Sequence, residues 1–134
     1  MSGKIRVLTG KIGLDDHFRG IISVTEALKD AGMEVIYVGA GRRIDEMITA
    51  AIQENVQVIG LSFLCGGHLE TMQRFMDKMK EQGLDNVLVV IGGVIHDQDI
   101  PKLKELGVAE VFLPGTPLKD IVKFVLENVK NKRE

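Results

Sequence analysis

The sequence predicts a doubly wound α/β fold: one five-stranded parallel sheet, strand order 2-1-3-4-5, with helices on both faces. Three observations point there. Five short apolar segments alternate with five stretches of helical periodicity along the 134 residues. The strand cores are near-continuous Val, Ile and Leu, as parallel strands covered on both faces require. The residues able to do chemistry gather after the strands, whereas the turns leading into the strands are plain. An open sheet of this flavodoxin-like, Rossmann-like kind binds ligands beyond the carboxyl ends of its strands, at the point where strand order reverses.

The elements follow in order. Ile5–Thr9 is the first strand. From about Gly20 to Ala31, Ile21, Ile22, Val24, Ala27, Leu28 and Ala31 recur at helical spacing, and Gly32 supplies a C-cap. Glu34–Val38 is the second strand, and Ile44–Glu54 a helix with Ile44, Met47, Ile48, Ala51 and Ile52 on one face. Val56–Ser62 is the third strand. Leu69–Gln82 is a helix carrying Leu69, Met72, Phe75, Met76 and Met79, closed by Gly83. Asn86–Ile91 is the fourth strand, Ile100–Leu106 a short helix with Pro101 in its first turn, and Glu110–Leu113 the fifth strand. Leu118–Lys130 is the last helix, and residues 131–134 are expected to be a frayed tail. The chain is read as one domain, 1–134, with no linker or internal repeat.

Composition narrows the function classes. Apolar residues make up 45% and charged residues 27%, an ordinary globular balance. A net charge of −2 argues against a nucleic-acid or anionic-membrane partner, and 4% aromatics argue against base-stacking platforms. No apolar run approaches the ~20 residues that span a bilayer, and the amino terminus has no long apolar signal segment. The single cysteine, Cys65, suits a reducing cytoplasm and is read as a small, partly buried residue.

The segment after the first strand, "KIGLDDHFRG", sets the problem. His17 is either a surface-loop histidine or a positioned imidazole. Asp15, two residues before it, can accept a hydrogen bond from one ring nitrogen, leaving the other free as a metal ligand or general base. Lys11 can keep that carboxylate ionised, and Gly20 leaves room against the start of the helix. The other histidines, His68 and His96, lie far away on other loops, so any metal at His17 arrives inside a cofactor bringing its own ligands. Ser62 and Leu64 after the third strand, Gly92-Gly93 after the fourth, and Gly115 and Thr116 after the fifth lie on the same rim; each is also compatible with plain turn chemistry. No G-x-S-x-G elbow supports a hydrolase. "GAGRR" (Gly39–Arg43) imitates only half of a dinucleotide fingerprint and follows the wrong strand.

With these residues in place the chain resembles the cobalamin-binding small subunit or domain of adenosylcobalamin-dependent acyl-CoA mutases, the methylmalonyl-CoA mutase family. The family motifs D-x-H-x-x-G, S-x-L and G-G read here as Asp15-x-His17-x-x-Gly20, Ser62-x-Leu64 and Gly92-Gly93. The resemblance covers essentially the whole chain. It implies adenosylcobalamin as cofactor, held base-off/His-on, with His17 as the lower axial cobalt ligand and Asp15 and Lys11 behind it. It also implies that Gly20, Ser62, Leu64, Gly92, Gly93, Gly115 and Thr116 line the site of the displaced nucleotide tail. Finally, it implies a larger TIM-barrel subunit that binds the acyl-CoA, this chain being inactive alone. Asp16, Phe18 and "VIHDQD" depart from close methylmalonyl-CoA mutases, so the substrate stays open among methylmalonyl-, isobutyryl- and 2-hydroxyisobutyryl-CoA. A glutamate mutase small subunit, a non-catalytic cobalamin carrier or sensor, and a nucleotide-binding flavodoxin-like module are the competing readings.

Overall fold

The computed structural model describes residues 4–11, 19–39, 43–63 and 68–133. The element order is β1 (Arg6–Lys11), α1 (Arg19–Asp30), β2 (Glu34–Tyr37), α2 (Ile44–Gln53), β3 (Val58–Phe63), α3 (His68–Glu81), β4 (Leu88–Gly93), a 3-10 turn (Asp97–Asp99), α4 (Ile100–Glu105), β5 (Glu110–Phe112) and α5 (Leu118–Arg133). All strand pairings are parallel and the order is β2-β1-β3-β4-β5, as the sequence predicts. The reversal of strand order therefore lies between β1 and β3.

Strand boundaries differ from the expected ones in a consistent way. β1, β3 and β4 end one or two residues later than their apolar runs, at Lys11, Phe63 and Gly93. Pairing is made by backbone groups, so the ladder continues through Lys11↔Ser62, Ser62↔Gly92 and Phe63↔Gly93 after apolar side chains stop. Lys11 and the Gly92-Gly93 pair thus belong to strands and not to the loops beyond them. At the other end, Val56 is not in β3: its N–H closes α2 on the Ala51 carbonyl at 3.2 Å, with Asn55 at φ +53 and its N–H on Ile52. This is the Schellman cap, and α1, α3 and α4 end in the same bond pair. α5 differs, running to Arg133 through the residues expected to fray. Lys and Arg are good helix formers and favour the negative end of the helix dipole.

The alternation of side chains along the strands separates two cores. One face carries Leu8, Ile59, Leu61, Val89 and Ile91 against α2, α3 and α4, with Met47, Met72, Phe75 and Leu103 fully buried. The other carries Val7, Val58, Leu88 and Val90 against Leu28 of α1 and Val125 and Val129 of α5. β1 is tied down at its amino end, where the Arg6 guanidinium reaches Glu34 and donates to the Glu54 carboxylate at 2.8 Å and carbonyl at 2.7 Å.

Candidate functional site

Toward the carboxyl ends of β3 and β4, the α1/α5 face loses its large side chains. Val58 is followed on that face by Gly60 and Ser62, and Val90 by Gly92. With no bulk there, α1 and α5 cannot close onto the sheet, and a cavity of about 820 Å³ remains between them. Its lining includes Lys11, Ser23 and Val24 from β1 and α1, Ser62 and Gly92 from the sheet, and the Leu113–Thr116 turn. The volume falls in the range of small-molecule sites, and the walls are mainly apolar. Two of its lining residues, Val94 and Leu118, are exposed apolar side chains.

Each contributing segment has a local reason for its shape. Gly93 ends β4 at φ +134, and a Cβ there would stand 1.7 Å from the Phe63 carbonyl oxygen. Glycine is the one residue that lets β4 approach β3 so closely at the rim. Pro114 and Gly115 form a turn in which the Thr116 N–H bonds the Leu113 carbonyl at 3.1 Å, with Gly115 at φ +91. Proline followed by a positive-φ glycine is the type II turn pattern. The Thr116 hydroxyl donates to the same carbonyl at 2.6 Å, so Thr116 shapes the wall through the turn rather than by offering a free hydroxyl. Below the cavity, the buried hydroxyls of Thr9 and Thr25 bond at 2.8 Å and join β1 to α1.

Among the sequence-derived candidates, Lys11, Ser62, Gly92, Gly93, Gly115 and Thr116 all line this one cavity. Lys11 is 1% exposed at the end of β1, not in a solvated loop. Gly20 lies in the first turn of α1. Asp15, His17, Leu64 and Cys65 fall outside the described residues. Sequence reasoning missed Ser23 and Gly60. Ser23 has a faint signal, being three positions after Gly20 and so on the same helix face. Gly60 could have been found by asking which residues share the alternation of Val58 and Ser62. Among the described residues no group of three His, Cys, Asp or Glu could hold a metal ion, and no described helix is long and apolar enough to cross a membrane.

Comparison with known proteins agrees with this geometry. The B12 binding domain model matches residues 5–122. The chain is 44% identical over 118 residues to the 2-hydroxyisobutanoyl-CoA mutase small subunit of Aquincola tertiaricarbonis, covering 88% of this chain and 87% of that one. It is 41% identical over 121 residues to the pivalyl-CoA mutase small subunit of Xanthobacter autotrophicus, covering 90% and 81%. A cobalamin-binding protein from Desulfitobacterium hafniense has the same fold, with a TM-score of 0.79 at 22% identity over 92% of this chain and 58% of that one. A family model that spans most of the sequence, mutase small subunits matched nearly end to end, and a shared fold lead to one assignment: the chain belongs to the B12-binding domain family.

Proposed function

We propose that this chain is the cobalamin-binding small subunit of an adenosylcobalamin-dependent acyl-CoA mutase, working with a separate, larger TIM-barrel subunit that binds the acyl-CoA. The observation that carries the reading is the cavity on the α1/α5 face, opened by Gly60, Ser62 and Gly92 at the rim where β1 meets β3. A mainly apolar slot at the carboxyl end of β1, the strand that leads into the D-x-H-x-x-G motif, suits a corrinoid with a displaced nucleotide tail. Side chains at those sheet positions would fill it, so the residues present fit the group.

In this reading His17 would hold the cobalt of the cofactor through one imidazole nitrogen. Asp15 accepts a hydrogen bond from the other imidazole nitrogen, and Lys11, buried at the end of β1, stands behind Asp15. Such a partner orients a metal-bound imidazole and raises its basicity. Gly20, Ser62, Leu64, Gly92, Gly93, Gly115 and Thr116 hold the tail. The cofactor, when bound, supplies a carbon radical by homolysis of its weak cobalt–carbon bond. This chain's own part is to hold, orient and enclose one side of it. The names of its relatives, mutase small subunits acting on branched acyl-CoAs, support a partner that carries the substrate, and the single cysteine suits a cytoplasmic setting.

The test is co-purification of the tagged chain from its native host with adenosylcobalamin present, followed by assay of the recovered pair on methylmalonyl-, isobutyryl-, 2-hydroxyisobutyryl- and pivalyl-CoA. The expected result is a larger subunit in the eluate and isomerisation of one of these thioesters by the pair, with none by the chain alone. Turnover by the isolated chain, or a pair inactive on every acyl-CoA, would contradict the proposal.

A further inference from the structure

Ser23 sits in the second turn of α1 and lines the cavity from the helix side. Around it the helix turns apolar and shielded residues inward: Ile21 is buried, Val24 lines the cavity, and the Thr25 hydroxyl is already paired with Thr9. The hydroxyl of Ser23 has no hydrogen-bond partner among the described residues. Serine in a helix interior is a weaker former than alanine, and its hydroxyl competes for backbone groups. Here that hydroxyl bonds no carbonyl of its own helix, so it gives the fold nothing in return. Of the hydroxyls lining the cavity, Thr116 is committed to the Leu113 carbonyl, which leaves Ser23 on the α1 wall and Ser62 on the sheet open to an occupant.

We propose that Ser23 is a further ligand-binding residue of the slot: its hydroxyl hydrogen-bonds a polar atom of the inserted nucleotide tail, so the α1 wall recognises the tail as well as enclosing it. This rests on the reading of the slot as the corrinoid tail site. An apolar wall alone accepts a tail by shape. A hydroxyl placed in that wall adds a requirement for a nitrogen or oxygen to meet it, because a polar group left unpaired in an apolar site is costly.

The test compares two corrinoids, cobalamin and cobinamide, the second lacking the nucleotide tail. Each is titrated by visible absorbance into the wild-type chain, Ser23→Ala and Ser23→Thr. Ser23→Ala should weaken cobalamin binding by about 3–10-fold, the value of one neutral hydrogen bond, and leave cobinamide binding unchanged. Ser23→Thr keeps the hydroxyl and should recover most of the loss. The thermal midpoint of ligand-free Ser23→Ala should be equal to or above that of the wild type, since alanine is the better helix former. A purely structural role would move that midpoint and both corrinoids together. Unchanged cobalamin affinity in Ser23→Ala, or equal losses for both corrinoids, would overturn the proposal. If wild-type protein bound cobalamin no better than cobinamide, the slot itself would be misread, a result separate from any effect of Ser23.

Discussion

The two faces of the same sheet have opposite designs. On the α2/α3/α4 face, large side chains continue to the rim: Ile59, Leu61 and Phe63 along β3, and Val89 and Ile91 along β4, all buried. On the α1/α5 face, the same strands go from Val58 to Gly60 to Ser62, and from Leu88 to Val90 to Gly92. One face is packed through its whole length. The other is packed at the amino end and open at the carboxyl end. The difference arises from alternate residues of single strands, so a period of two in side-chain size is enough to build a solid core and a binding slot back to back. If the slot is the proposed corrinoid site, stability resides mainly in the first face and ligand affinity in the second, and substitutions should separate the two.

The largest effect belongs on the packed face. Phe75 is fully buried there, and Phe75→Ala should cost about 3–5 kcal/mol of stability, read by denaturant unfolding. The fraction that stays folded should bind cobalamin with wild-type affinity; a selective loss of affinity would break the separation.

Between the faces stands Gly93, where a Cβ would meet the Phe63 carbonyl at 1.7 Å. Gly93→Ala must push β3 and β4 apart at the rim and adopt a backbone conformation costing on the order of 1–3 kcal/mol. Both the unfolding midpoint and cobalamin affinity should fall. A variant as stable as wild type would show that the close approach is not needed.

The slot face predicts the reverse of Phe75. At Gly60 an added Cβ meets Thr9 at 3.6 Å and Val90 at 3.8 Å, ordinary contacts. Gly60→Val should therefore leave the ligand-free protein as stable as before or slightly more so, because glycine within a strand is entropically costly. Its methyl groups occupy the slot, and overpacking of this kind should weaken cobalamin by about 10–100-fold while sparing cobinamide. Isothermal titration with the two corrinoids checks this. Undiminished cobalamin affinity in Gly60→Val would mean that the cavity between α1 and α5 does not take the tail.

Much of this was legible in the sequence, for physical reasons that also explain what was not. The parallel doubly wound class, and with it the carboxyl edge that carries the site, follow from alternation of apolar strands with helices, and that signal is strong because burial enforces it. The ends of β1, β3 and β4 were misjudged because Lys11, Ser62, Gly92 and Gly93 pair through backbone atoms that side-chain hydropathy does not report. The burial of Lys11 was hidden for the same reason. Gly60 and Ser23 were missed because a slot is made by what adjacent strands and helices lack in three dimensions, and neither residue carries chemistry that marks it in one. The roles proposed for Asp15 and His17 come from the motif, and both residues lie outside the described residues.

In the proposed function, cobalt in the bound corrinoid is held by an imidazole of this chain. Electron paramagnetic resonance of the Co(II) form, prepared with protein carrying ¹⁵N-imidazole histidine, tests it directly. With His17 on cobalt, nitrogen superhyperfine triplets become doublets on labelling and the pattern disappears in His17→Ala. Asp15→Asn, which removes only the carboxylate charge proposed to stand behind the ring, should keep the pattern and lose about 10–100-fold in affinity. Triplets unchanged by the label would mean that the nitrogen on cobalt belongs to the cofactor's own base, and the assignment of His17 would be wrong.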